Sequence, residues 1–122
     1  MTLSELYQQI EGDYEQAMRV LRMEKLLDKY VKKFPDTGVI DALLRSQHSG
    51  DANAIFETAH AAKGVCANLG LVKLAALSST VADEFRPGHA RAMSDAELAD
   101  TFCAIKELYG KTLDGIRCYT MS

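Results

Sequence analysis

The sequence predicts an all-α protein, an antiparallel up-and-down four-helix bundle with short additional N-terminal and connecting helices. Apolar residues recur at three- and four-residue spacings along the chain, which is the period of one buried helix face. Glycine, proline and aspartate mark turns between these periodic segments. No segment alternates apolar and polar residues as a strand does. Four substantial helices joined by short turns pack most simply as an up-and-down bundle.

The first part of the chain predicts three helices. Residues 1–11 are expected to form a small helix across one end of the bundle. Asp13 is a suitable N-cap for a long helix that runs to Pro35. The buried stripe of this long helix is predicted to contain Ala17, Val20, Met23, Leu27, Val31 and Phe34. A short helix follows, and its apolar side consists of Val39, Ile40, Leu43 and Leu44.

The segment between Asp51 and Leu69 predicts a helix with a heptad-like core seam. The seam consists of Ile55, Ala59, Ala62, Cys66 and Leu69. Gly70 stands where a glycine C-cap belongs. Because each helical residue advances by about 100°, His60 lies well away from the seam. We therefore expect an exposed imidazole.

The last part of the chain predicts two further helices. The first ends at the turn 86–88, and its apolar positions are Leu71, Leu74, Leu77, Val81 and Phe85. Ser94 and Glu97 form a capping box that opens the last helix, with Met93 and Leu98 placed as a hydrophobic staple. The buried face then continues through Phe102, Ile105, Tyr109, Thr112 and Ile116. The sequence leaves open whether Gly110 bends this helix or frays its end.

Composition limits the classes of function. The 122 residues, 48% of them hydrophobic, suit one compact domain that spans residues 1–122. The net charge of −3 argues against a dedicated nucleic-acid binder or a binder of anionic membranes. Residues 1–11 lack the basic and apolar pattern of a secretory signal, so we expect a cytoplasmic protein without membrane insertion. Every helix has a packing partner within the chain, and a monomer is therefore expected.

The three cysteines do not suggest a metal site or a disulfide framework. Cys66, Cys103 and Cys118 are odd in number and widely spaced. We interpret them as reduced thiols that serve mostly as packing residues.

The surroundings of His60 suit reversible phosphorylation. A neutral imidazole nitrogen is a competent nucleophile near pH 7, and Lys63, three residues on, lies close enough to offset negative charge on a phosphoryl group. Gly64 costs the helix about 1 kcal/mol relative to alanine, which suggests that bare backbone is needed beside the ring. Phe56, Ala61 and Ala67 add a partly apolar rim of the kind that marks a docking patch.

The stretch AHAAKGVCANLGLVKL, residues 59–74, resembles the signature of the histidine-containing phosphotransfer (HPt) domain family. It contains H-x-x-K-G, a leucine-glycine turn and the start of a second leucine-rich helix. The resemblance implies a noncatalytic bundle whose histidine passes a phosphoryl group between receiver-domain aspartates in a multistep phosphorelay. It makes His60 the phosphoacceptor, Lys63 the charge stabiliser and Gly64 the clearance for a docked receiver.

The resemblance also implies the partners and what they supply. These would be receiver domains of response regulators and of hybrid sensor histidine kinases, which bring the aspartate and a magnesium ion. The chain itself needs no metal, no cofactor and no ATP-dependent kinase activity of its own. The residues expected to contact the partner are Phe56, Glu57, Ala61, Ala67 and Asn68.

Two positions depart from the family pattern. Ala62 stands where members usually have a larger hydrophobic residue, which should loosen packing without affecting the chemistry. Ala82 stands where many members carry a glutamate or glutamine that accepts a hydrogen bond from the second imidazole nitrogen. Helical spacing turns Asp83 and Glu84 away from that position, so the residue that orients the imidazole stays open.

Other interpretations of His60 are possible. A histidine kinase dimerisation domain should have an acidic residue where Ala61 follows the histidine, and a nucleotide-binding domain downstream, for which we expect no room before Ser122. A metal-binding bundle would use His48, His60, His89 and the cysteines, but their spacing is not that of a metal site. A helical scaffold in which His60 and Lys63 are incidental remains the alternative, and phosphate incorporation distinguishes it.

Overall fold

In the computed structural model, residues 1–121 are described, and they form seven helices without a strand. In chain order the helices are α1 (Leu3–Gln9), α2 (Tyr14–Leu21), α3 (Glu24–Thr37), α4 (Val39–Ser46), α5 (Ala52–Asn68), α6 (Val72–Glu84) and α7 (Asp95–Met121). The all-α prediction is confirmed. Ser122, the last residue of the predicted domain, lies outside the described residues.

The bundle has four sides, of which α5, α6 and α7 each supply one and α3 with α4 supply the fourth. Phe34 of α3 packs edge-to-face on Tyr109 of α7, with ring centroids 6.1 Å apart. The Tyr109 hydroxyl donates a hydrogen bond to Oδ2 of Asp41 in α4 at 3.0 Å. Since one α7 side chain contacts both helices, α3 and α4 lie along the same side of the bundle.

The N-terminal helix is fixed to the rest of the molecule by polar contacts as well as by its apolar face. Leu3, Leu6 and Tyr7 of α1 are buried. The Tyr7 hydroxyl donates a hydrogen bond to the Leu69 carbonyl oxygen at 2.6 Å, beyond the end of α5. These contacts confirm the predicted small N-terminal helix.

Glu11, just after α1, joins two further helices. Its carboxylate accepts hydrogen bonds from Lys73 Nζ of α6 at 2.5 Å and from Lys111 Nζ of α7 at 3.1 Å. These two lysines hold the pKa of the Glu11 carboxyl below its usual range. One carboxylate thus connects the end of α1 to two sides of the bundle.

The single long helix predicted from Asp13 to Pro35 is wrong, because the chain breaks between α2 and α3. Arg22 adopts a left-handed conformation with φ of 66°, and its backbone N–H donates to the Met18 carbonyl at 2.7 Å. The break changes which residues face inward. Val20 and Met23, expected in the buried stripe, are 48% and 54% exposed.

Pro35 does not end its helix as predicted. It lies inside α3, which continues for two residues to Thr37 and ends at Gly38 with φ of 67°. The ring removes one backbone donor within the last turn of the helix. The Thr37 hydroxyl donates to the Phe34 carbonyl at 2.7 Å, which satisfies one acceptor at this end.

The turn between α5 and α6 requires a glycine at position 70, as predicted. Gly70 has φ of 68°, and a Cβ placed there would lie 2.4 Å from the Asp13 carbonyl oxygen and 2.9 Å from the Ala17 Cβ. The Gly70 carbonyl also accepts a hydrogen bond from the Asp13 N–H at 2.7 Å. The start of α2 therefore packs directly against this turn.

The last helix begins with the predicted capping box. The Ser94 N–H donates to Oε1 of Glu97 at 2.9 Å, and the Glu97 N–H donates to Oγ of Ser94 at 3.1 Å. The helix then continues through Gly110 to Met121, so Gly110 does not end it.

The cysteine prediction is only partly correct. All three thiols are free, and burial raises the pKa of the Cys66 thiol to about 12. Cys103 and Cys118 are exposed, because the inward face of α7 is occupied by its apolar residues. Those two side chains are therefore not packing residues.

Among the described residues, no helix is both long enough and apolar enough to cross a membrane.

Candidate functional site

Helix α5 presents the candidate site, and both of its ends are fixed. At its start, Oδ1 of Asp51 accepts hydrogen bonds from the N–H groups of Asn53 at 3.0 Å and Ala54 at 3.2 Å. At its end, the Leu71 N–H donates to the Cys66 carbonyl at 2.9 Å across the Gly70 turn. Capped ends and a buried seam leave the helix little freedom to rotate or fray.

The predicted seam of α5 is confirmed. Ile55, Ala59, Ala62, Cys66 and Leu69 are all buried. His60 follows the buried Ala59 directly and is exposed, as predicted. A 100° step from a fully buried position is sufficient to bring the imidazole to the surface.

The His60 ring stacks on Phe56, one helical turn earlier. The two ring centroids are 5.6 Å apart and the planes differ by 17°. Phe56 is half-buried and packs against the hydrophobic core, whereas His60 is exposed. The sequence placed Phe56 on the rim of the site but not in contact with the ring. An aromatic residue at i−4 is the signal that would have suggested this contact.

The charged side chains beside His60 carry no counter-ion from the described part of the chain. Lys63 and Glu57 are both exposed, and neither forms an ion pair or side-chain hydrogen bond within residues 1–121. The Lys63 ammonium is therefore available to an incoming anion.

The surface next to His60 is open at Gly64. A Cβ placed on Gly64 would meet no atom within 4 Å, so packing within residues 1–121 does not require glycine there. Ala61 and Asn68 are exposed and Ala67 is half-buried. The residues predicted to contact a partner thus all reach the surface of α5, and their contact with a partner stays a prediction.

Both carboxylates considered for orienting the imidazole bind other groups in the described chain, and neither has a hydrogen bond or ion pair with His60. Glu84 is 3% exposed and accepts hydrogen bonds from Arg91 Nε at 2.6 Å and from the Ala92 and Met93 N–H groups at 3.1 and 2.9 Å. These donors, with Arg91 first, lower the pKa of Glu84 to about 2. Asp83 pairs with Arg86.

Position 82 offers no polar group either. Ala82 is 4% exposed and its side chain carries no hydrogen-bonding atom. Within residues 1–121, His60 has no side-chain hydrogen bond and no ion pair. Among the described residues, the stack on Phe56 is therefore the side-chain contact that supports the imidazole.

The other histidines lie elsewhere. His48 and His89 are exposed and fall outside the helices, near turns. His89 Nε2 is 4.0 Å from the Glu84 carboxylate. In the described part of the chain, no three side chains of the metal-binding types come together.

This arrangement can support nucleophilic group transfer at the surface. The imidazole is exposed, a cation with no counter-ion among residues 1–121 lies at i+3, and glycine leaves the surface open at i+4. Such a site can receive a group from a reactive centre that another protein presents.

Comparison with known protein families gives a match over most of the chain. The family model described as Hpt domain matches residues 2–114 of the 122-residue chain. No curated protein and no solved structure matches the chain significantly. The match covers nearly the whole bundle, including α5 and the residues around His60. The chain therefore belongs to the Hpt domain family, whose helical domains carry phosphoryl groups in phosphorelays and are not kinases.

Proposed function

We propose that the chain is a histidine phosphotransfer protein of a multistep two-component phosphorelay. His60 accepts a phosphoryl group from the aspartate of one receiver domain and passes it to another. The observation that carries the proposal is the exposed His60 on α5, with Lys63 and Gly64 beside it in the H-x-x-K-G spacing on which the resemblance to the family rests.

The transfer is a displacement at phosphorus. The lone pair of the unprotonated ring nitrogen forms the N–P bond, and the bond between phosphorus and the aspartyl oxygen breaks, its electron pair leaving with the carboxylate. The proton on the other ring nitrogen stays in place during this step. Lys63 offsets the negative charge of the phosphoryl oxygens as the group moves. The same steps in reverse load the second receiver.

The receiver supplies what the chain lacks. It brings the phosphorylated aspartate and a magnesium ion, and it docks on the face of α5 where Phe56, Glu57, Ala61, Ala67 and Asn68 lie. Because such relays draw their phosphoryl groups from ATP, the proposed compartment is the cytoplasm. The helices already pack on one another within one chain, so the proposed form is a monomer.

Transfer of labelled phosphate from a phosphorylated receiver to the purified protein tests this function. We expect wild type to acquire an acid-labile, alkali-stable label and His60→Gln to acquire none. His48→Gln is the matched control, since it removes another exposed histidine, and it should be labelled like wild type. Helicity and thermal unfolding of His60→Gln should match wild type, because an exposed position contributes little to the core.

The alternative is a helical scaffold or interaction domain that is not phosphorylated. A panel of receivers that load a control acceptor but leave wild type unlabelled would favour the scaffold and contradict our proposal.

A further inference from the structure

We infer that Phe56 is a positioning residue for His60, which holds the imidazole in one plane and favours the positive charge that the ring gains during phosphoryl transfer. This inference rests on the proposed function and assigns Phe56 a task other than partner contact.

The geometry is that of a stacked aromatic pair anchored on one side. The two rings lie one helical turn apart on α5, with 5.6 Å between centroids and 17° between planes. Phe56 is half-buried and packs against the core, so its own ring has a fixed support. One face of the imidazole therefore lies against a held surface, while His60 itself stays exposed to solvent.

The described chain offers the imidazole no polar support. His60 has no side-chain hydrogen bond or ion pair within residues 1–121, and Ala82 cannot supply one. An exposed histidine without such a bond samples several side-chain rotamers. Stacking on Phe56 restricts these rotamers, so the reactive nitrogen is presented in fewer orientations before the receiver arrives.

The same contact favours the chemistry. When the ring nitrogen bonds to phosphorus while the other nitrogen keeps its proton, the imidazole becomes positively charged. The face of a phenyl ring attracts a cation through its quadrupole. Because this charge is absent before transfer begins, the attraction lowers the barrier more than it strengthens the resting state.

Positioning and partner contact differ in which kinetic constant they change. A residue that only touches the receiver affects the receiver concentration at half-maximal rate. A residue that orients the imidazole and stabilises its charge affects the maximal rate, and it does so with any phosphoryl donor.

The experiment compares wild type, Phe56→Leu and Phe56→Tyr in two reactions. The first is transfer from a phosphorylated receiver over a range of concentrations, and the second is phosphorylation by phosphoramidate, which has no protein surface to dock. We expect Phe56→Leu to lower the maximal rate about threefold to tenfold in both. Phe56→Tyr keeps an aromatic face and should restore the wild-type rate.

Two controls separate this effect from a general loss of structure. Phe85→Leu changes another half-buried phenylalanine that packs against the core, one that lies at the end of α6 and stacks with Arg91, so its transfer rates should match wild type. In NMR spectra of the unphosphorylated protein, the His60 ring protons should show a ring-current shift that Phe56→Leu removes and Phe56→Tyr keeps.

Equal maximal rates in wild type and Phe56→Leu, or a change confined to the half-saturating receiver concentration, would overturn the inference and leave the proposed function standing. Absence of label on wild type from every receiver would overturn the proposed function, and the inference with it.

Discussion

Gly64 and Gly110 are alike in the open space around them, but only Gly64 lies close to His60. Both lie inside helices, and a Cβ added to either would meet no atom within 4 Å. Each therefore carries the cost of a helix glycine without a packing reason for it. Gly64 lies one turn after His60, whereas Gly110 lies on an exposed part of α7. The pair allows stability and access to be measured separately.

We predict that Gly64→Leu weakens docking and phosphoryl transfer from a receiver, because the new side chain covers the approach to His60. The same change should stabilise the fold by roughly 0.5–1 kcal/mol through helix propensity. Gly110→Leu should give a similar gain in the free energy of unfolding and leave transfer unchanged. Denaturant unfolding and receiver titration measure the two effects, and normal transfer by Gly64→Leu would show that access is not the purpose of this glycine.

The position of His60 was predictable from sequence, but its immediate contact was not. Periodicity fixes which face of α5 is buried, and the seam from Ile55 to Leu69 confirms it. Periodicity does not fix side-chain rotamers, so the stack of His60 on Phe56 does not follow from residue spacing. The orienting carboxylate stayed open for a related reason, because the contacts of Glu84 depend on a loop whose path the sequence does not specify.

At the scale of helices, the break between α2 and α3 shows where a pattern misleads. Apolar residues continue at helical spacing through Val20 and Met23, which favours one unbroken helix. The break depends on Arg22 in a left-handed conformation, which a non-glycine residue rarely adopts and no local signal marks. Helix α2 packs against the Gly70 turn, and α3 packs against α7. The axes of these two helices point in different directions, which one straight helix could not follow.

The turn between α5 and α6 gives a prediction about stability. Gly70→Ala should destabilise the protein by roughly 2 kcal/mol or more, since alanine pays for a positive φ and also clashes with the Asp13 carbonyl. Gly38→Ala is the control, because Gly38 has a similar φ of 67° and open space around it. Gly38→Ala should lower the free energy of unfolding by about 1 kcal/mol. Equal losses in the free energy of unfolding would mean that the close approach of Asp13 is not important.

The connection between α6 and α7 gives a prediction about pH. Glu84 has a pKa of about 2 in the folded protein, because Arg91 and two backbone N–H groups donate to it. An unfolded glutamate has a pKa near ~4.3. Ionised Glu84 therefore contributes stability that is fully present above the unfolded pKa and is lost as the pH falls towards 2.

Glu84→Gln should consequently be less stable than wild type at pH 7, and the difference should shrink as the pH falls below about 4.5. Chemical denaturation at a series of pH values measures it. Asp114→Asn, at an exposed carboxylate that pairs with Arg117, should show little difference at any pH. A stability difference between wild type and Glu84→Gln that does not change with pH would argue against an ionic role for this buried group.

At the scale of the whole molecule, a single hydroxyl connects the N-terminal helix to the middle of the chain. Tyr7 of α1 is 1% exposed and donates to the Leu69 carbonyl, 62 residues later in the chain. Burial raises the pKa of the Tyr7 hydroxyl well above its usual value. The contact holds the N-terminal helix against the turn that ends α5.

We predict that Tyr7→Phe lowers the free energy of unfolding by about 1–2 kcal/mol, because it leaves a buried carbonyl without its donor. Tyr30→Phe, at a tyrosine that is 42% exposed, should have almost no effect. Thermal or denaturant unfolding of the two variants provides the comparison. Labelling of His60 should persist in Tyr7→Phe, because α5 keeps its caps and its seam.

The overall bundle could be predicted because α5, α6 and α7 each have a regular apolar stripe, and the turns after α5 and α6 contain glycine or proline. The arrangement of the N-terminal region could not, since it depends on long-range contacts. Tyr7 with Leu69, and Glu11 with Lys73 and Lys111, join residues far apart in sequence. Such pairs leave no local signal in one sequence.

The absence of polar contacts to His60 within residues 1–121 has a consequence for how a partner detects phosphorylation. Since no hydrogen bond or ion pair within residues 1–121 joins the imidazole to the bundle, adding a phosphoryl group breaks none, and we expect the backbone to stay unchanged. We expect the loaded and empty forms to share one shape and one melting temperature. A partner must then recognise the loaded form by the charge and volume of the group itself, so the message is chemical and not conformational.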